Sequence, residues 1–366
     1  GEHNCTRGRL MANQNIRTPR FYPDLINYHR ARGSAIGTVS AISDTIAVQS
    51  GSAAELFDLR PLNQVTFDTS ANTGDHVLIN LGFTTASYKQ NYIAILNHNL
   101  ATAVGKIRIF AGDEDDDHTA LDGANADTGD ITWANDTLTE VVNADTTTAA
   151  ADDQSVVIEP ASDGTTIVIF PEQDLRYWAI QFEGNTTNTG VATNGTWGST
   201  DLAVGGIMIG EYFDMPHAPD LSVKRSIMYD NVNVQESLGG QRYSNATSFG
   251  RTASSTSKSP FALGTYGQAV YGGRQAFDLN FSYINATDLI PAETSVYGFT
   301  DDTVVSDAWN LVDGPARPFI FSIDNASVGA NAESEHMFAR FAQSNLDMTQ
   351  VANDVYNVSM RIEEEF

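Results

Sequence analysis

The chain has 366 residues, 41% of them hydrophobic and 10% aromatic, with 20 Lys and Arg against 46 Asp and Glu for a formal net charge of −26. That apolar content supports a packed core and excludes a disordered chain, and the length suits two domains. The acidity excludes a generic nucleic-acid binder, because neutralising phosphates requires clustered Lys and Arg.

Cys5 is the one cysteine, so neither an intrachain disulfide nor a cysteine zinc site can form. No window has the apolar length of a secretory signal or a membrane span, which predicts folding in a reducing cytoplasm. Met11 stands where a natural start would fall.

Residues 1–32 carry Arg7, Arg9, Arg17, Arg20, Arg30 and Arg32 against Glu2 and Asp24. Pro23–Asp24 predicts the opening of a short helix that ends near Gly33. Two readings fit. The segment either packs on its own domain, or it is a basic arm whose Arg17, Arg20, Arg30 and Arg32 dock on the acidic body of a neighbouring subunit. Each exposed ion pair contributes only about 0–1 kcal/mol, so several would have to act together.

From Gly33 onward, period-two patterns dominate. His76–Phe83 (HVLINLGF) places Val77, Ile79, Leu81 and Phe83 on one face. Tyr92–Leu100 (YIAILNHNL) is apolar throughout its first half and reads as a more fully buried strand. Lys106–Phe110, Ile131–Asn135, Ser155–Glu159, Thr165–Pro171, Arg176–Gly184 and Val204–Met215 follow as further strands. Gly-, Asn-, Asp- and Thr-rich loops separate them, and no alternation of strand with helix appears. The fold class is therefore mainly β, with a β-sandwich or jelly roll over residues 33–215.

Pro216–Asp220 (PHAPD) is the predicted boundary to a second mainly β domain with short helices, residues 220–366. Gly239–Ser259 is a long Ser/Gly-rich loop, nearly free of aliphatic residues, with Arg242, Arg251 and Lys258 as basic assembly contacts. It is expected to order only against another subunit, since ordering costs roughly 1–2 kcal/mol per residue in backbone entropy. Strands resume at Ala276–Ile284, Pro318–Asp324 and Val355–Glu365, with short helices expected over Asp288–Ile290 and near Glu333–Phe341.

The candidate sites are few. Asp113, Asp115 and Asp117 have the alternating spacing of a calcium loop, but an EF-hand would need Gly and Glu where His118 and Ala124 stand. A solvated acidic loop is the expectation, and a non-EF calcium loop is the alternative. Calcium is the only cofactor the residues suggest. His98 ends an apolar strand and reads as structural. His336 lacks the second half of a zinc motif. No nucleophile elbow, phosphate loop or dinucleotide fingerprint occurs, and 46 acids permit any glycosidase spacing. Trp178 sits in a strong strand pattern and reads as core. Trp197, in NGTWGST, is the loop tryptophan expected to make an exposed contact with another subunit or a glycan.

Three pieces together resemble tail-associated virion proteins of tailed bacteriophages with a galactose-binding-like jelly roll. They are YIAILNHNLATAVGKIRIFAG; RYWAIQFEG with LAVGGIMIGEYF; and GGRQAFDLNFSYINATDLIP with ARPFIFSID and VSMRIEEE. The resemblance implies a non-enzymatic structural protein of a phage tail or tail junction. Such a protein assembles in symmetric rings with copies of itself and other virion proteins, in the host cytoplasm and then in the virion. It implies no membrane and no direct nucleic-acid contact. The alternatives are a carbohydrate-binding adhesion module, with glycan as partner, and a capsid decoration protein.

Overall fold

In a computed structural model, the structure describes residues 17–31, 36–42, 46–71, 76–83, 89–112, 139–144, 146–148, 156–175, 177–184, 196–228, 233–244, 274–291, 304–327 and 335–365. Their fold is mainly β and of the sandwich class. It contains three large sheets, of six, four and eight strands, with a three-stranded sheet and a two-stranded hairpin beside them.

The six-stranded sheet is centred on Tyr177–Gly184, flanked by His76–Phe83 and Gly105–Gly112. Alternation sorts its residues. Val77, Ile79, Leu81, Ile107, Ile109, Trp178, Ile180 and Phe182 all join one buried core. The four-stranded sheet supplies the other side of that core through Ile93, Ile95, Val168, Ile207 and Ile209.

The intervening residues of the four-stranded sheet turn the opposite way. Tyr92, Ala94, Leu96, Ile167 and Met208 form a second core with Tyr22, Ile320 and Phe338 of the eight-stranded sheet. Both faces of the four-stranded sheet are thus buried. This is why Gln90–His98 and Gly206–Gly210 are buried at every position, and why YIAIL lacks polar alternation. The eight-stranded sheet uses its far face for a third core, which includes Phe277, Leu279, Phe281, Phe319, Phe321, Met337, Phe341, Met360 and Ile362. The order of layers is six-stranded sheet, core, four-stranded sheet, core, eight-stranded sheet, core.

The eight-stranded sheet draws on distant parts of the chain. Its strand Arg20–Tyr22 pairs with Phe213–Asp214 on one side and Phe319–Ser322 on the other. The chain passes from the four-stranded to the eight-stranded sheet between Gly210 and Phe213, before PHAPD. PHAPD itself connects two strands of the eight-stranded sheet, Phe213–Asp214 and Lys224–Met228.

Two helix expectations need correction or addition. His336–Phe341 is a strand, not a helix. Met337, Ala339 and Phe341 enter one core and Phe338 enters another, so burial on both faces erased the period-two signal. Val305–Leu311 is a helix that periodicity alone did not mark; its Trp309 packs at a tilt on Phe341 with ring centroids 4.7 Å apart. The helix near Asp288 is present at Ala286–Leu289.

Candidate interaction surface

Within the described residues 221–228 and 233–243, several large apolar side chains stand in solvent. Leu221 is 104% exposed, Ile227 64%, Val234 55%, Leu238 113% and Tyr243 56%. Large apolar side chains left in solvent along one stretch of the chain make it a candidate interaction surface.

Two elements carry these residues. Lys224–Met228 is the end strand of the eight-stranded sheet and pairs antiparallel with Arg274–Asn285. Among the described residues it has no second neighbour strand. Arg225 lies 5.4 Å from the Phe277 ring centroid and donates from Nη2 to Gln275 Oε1 at 2.5 Å. Lys224 is 3.7 Å from Asp278 and remains exposed. The second element is the hairpin of Val234–Glu236 with Arg242–Ser244. Its turn runs through Leu238 and Gly239 to Gly240, whose φ of +82° is the left-handed geometry that favours glycine. The Gly240 N–H donates to Ser237 O at 2.8 Å and the Gln241 N–H to Ser237 Oγ at 3.1 Å. The turn is therefore ordered locally while Leu238 at its tip touches water.

The sequence-predicted contacts separate into three groups. Arg242 belongs to this surface: it is exposed and lies 3.3 Å from Glu236 across the hairpin. Arg17, Arg20 and Arg30 are engaged within their own chain. Arg20 donates from Nε and Nη2 to Asp214 at 2.6 and 2.8 Å, and its guanidinium stacks 3.9 Å from the Tyr212 ring centroid. Arg20 is only 7% exposed, which corrects its assignment as a contact to a neighbour: strand pairing of Arg20–Tyr22 draws it inside. Arg17 lies 3.7 Å from Asp324, and Arg30 donates to Phe57 O at 3.0 Å. Arg32, Arg251, Lys258, Asp113, Asp115 and Asp117 fall outside the described residues.

Trp197 is a further correction. It is 3% exposed and belongs to the first core. Gly105 makes room for it: a Cβ there would meet Trp197 Cζ3 at 2.7 Å. Trp178 is core, as expected. His98 is buried; its Nε2 lies 2.8 Å from Thr166 Oγ1, and Nδ1 accepts from the Leu100 N–H at 3.3 Å. Burial lowers its pKa to about 3, so the ring is neutral at ordinary pH. Among the described residues, no group of three or more His, Cys, Asp and Glu is placed to hold a metal ion.

Sequence reasoning missed a buried polar row on the face of the six-stranded sheet turned away from the core. Arg108 donates from Nε to Glu183 Oε1 at 2.9 Å, and Gln181 donates from Nε2 to Glu183 Oε2 at 3.2 Å. Burial pushes the Glu183 carboxyl upward, and the Arg108 charge pulls against it. Asn80, fully buried, has neither amide atom hydrogen-bonded, and Gln181 Oε1 has no partner. The polar letters at every second position of LINLG and AIQFEG carry this signal.

No family model and no curated protein matches the chain. A solved structure, chitosan-binding module 1 derived from chitosanase/glucanase from Paenibacillus sp. IK-5, is similar to part of it. The match has 11% identity and a TM-score of 0.28, and it covers 47% of this chain and 95% of that module. At that score the likeness carries no inference about function.

Proposed function

We propose that the chain is a non-enzymatic structural protein of a phage virion that works by assembling with copies of itself and with other virion proteins. The observation that carries this reading is the set of exposed apolar side chains at Leu221, Ile227, Val234, Leu238 and Tyr243. A water-exposed leucine on an ordered turn gains most from being covered, roughly 1.5–3 kcal/mol on full burial. The strand resemblance to tail-associated proteins points the same way. Light scattering of the purified chain over a range of concentrations tests it: an oligomer of fixed size is expected, and a monomer at every concentration would sink the proposal.

A further inference from the structure

Two unpaired strand edges lie close together in sequence. Lys224–Met228 ends the eight-stranded sheet, and Val234–Glu236 belongs to a hairpin that joins no larger sheet among the described residues. A lone two-stranded hairpin is marginally stable in water, and an open edge invites another strand. The chemistry of the two edges is complementary. The first presents Arg225 and Ile227 at alternate positions, and the second presents Val234 and Glu236.

We infer that Val234–Glu236 of one copy adds antiparallel to the Lys224–Met228 edge of a second copy, with Val234 opposite Ile227 and Glu236 opposite Arg225. This rests on the assembly reading above and names its partner and register. Residues directly opposite in an antiparallel pair share a face, so one register joins apolar to apolar and acid to base. A shift by one residue sends every side chain to the wrong face. Charge selects the second copy. The chain as a whole carries −26, so copies repel except where a basic patch meets an acidic strand. Arg225 supplies such a positive charge, and Glu236 is the acid in register with it. Cations on an edge reject an arbitrary strand and accept one with a matching carboxylate. Among the described residues, the two strands are not paired with each other within one chain.

The test uses two full-length variants on a Cys5→Ser background, one with Ile227→Cys and one with Val234→Cys. Each chain then has one cysteine, so a disulfide between the two can link only separate copies. Oxidising the mixture is expected to give mixed dimer about tenfold above the dimer from either variant alone. Adding Glu236→Arg to the Val234→Cys chain should abolish it, and adding Arg225→Glu to the Ile227→Cys partner should restore it. That rescue is a readout that misfolding would not give. If the wild-type chain assembles but no mixed dimer forms, this contact is overturned and the assembly reading stands. If a double Ile227→Cys, Val234→Cys chain closes on itself as a monomer and the mixture gives nothing, the pairing is internal and the inference also fails. A wild-type chain that is monomeric throughout removes both.

Discussion

Single residues decide how tightly the first core closes. Gly205 sits where a Cβ would meet the Pro61 carbonyl oxygen at 2.0 Å, and its N–H reaches both Leu96 O and Asn97 O, at 3.0 and 3.1 Å. Backbone cannot yield as a side chain can, so Gly205→Ala should cost about 1–3 kcal/mol or more, read from urea denaturation. Val104 presents the opposite case. It ends the turn Leu100–Ala103 with φ +58°, a left-handed conformation that suits glycine and burdens a β-branched residue. Val104→Gly should therefore stabilise the protein by about 1 kcal/mol, visible as a rise in Tm. His98 supplies a pH signature. Its folded pKa is depressed to about 3 from 6.5, so the unfolded chain binds the extra proton. The contribution is complete above pH 6.5 and is lost progressively as pH falls toward 3. His98→Gln should show a shallower fall in stability across that window than the wild type. An identical slope in the two proteins would contradict the buried neutral ring.

Among the elements, the segment of residues 17–31 most changes the picture drawn from sequence. Its strand places Phe21 in the third core, with ring centroids 5.3 Å from Phe321 and 5.6 Å from Phe319, and Tyr22 in the second core at 5.0 Å from Tyr92. Its helix Leu25–Ala31 places Leu25, Ile26 and Tyr28 in the first. Asp24 caps that helix, accepting from the Ile26 N–H at 3.3 Å and the Asn27 N–H at 2.9 Å. One short stretch thus enters all three cores. Phe21→Ala should cost about 3–5 kcal/mol. Arg20→Ala leaves Asp214 without its main partner and should cost about 2 kcal/mol, since the pair is partly desolvated. Thermal unfolding measures both; a truncation of residues 1–32 that melts like the full chain would refute the role. The sequence showed this segment's composition but not its destination, because Asp214 lies 194 residues from Arg20. The outer strands were legible wherever one face met the core, as in HVLINLGF. His336–Phe341 was not, because burial on both faces leaves no period. Trp197 was misjudged because NGTWGST has loop composition, while the space it fills is made by a glycine 92 positions earlier in the chain, at Gly105. The exposed hairpin could be found only in part: Arg242 was marked by its charge, whereas Leu238 looked like any leucine near a Gly-Gly turn.

At the scale of the whole molecule, the second core decides how the sheets behave together. Ile320 and Phe338 of the eight-stranded sheet pack with Tyr92, Leu96, Ile167 and Met208 of the four-stranded sheet, all at 1% exposure or less. A core this apolar couples the four-stranded and eight-stranded sheets, in contrast to the polar contacts that let domains move independently. Calorimetry should therefore show one unfolding transition, and Phe338→Ala should lower it as a whole. Two separate transitions in the wild type would mean the layers melt on their own.

The place of Arg20–Tyr22 in the eight-stranded sheet also sets a timetable. Its partner strand Phe319–Ser322 leaves the ribosome almost 300 residues later, roughly 15–60 s at common elongation rates. Its other neighbour, Phe213–Asp214, is made earlier in that interval and leaves one edge of Arg20–Tyr22 open. Arg20–Tyr22 thus gains its two neighbours at different times, and the nascent chain carries this aromatic strand half-paired until Phe319–Ser322 is made. Productive folding then requires that open edge to stay available until its last neighbour is made.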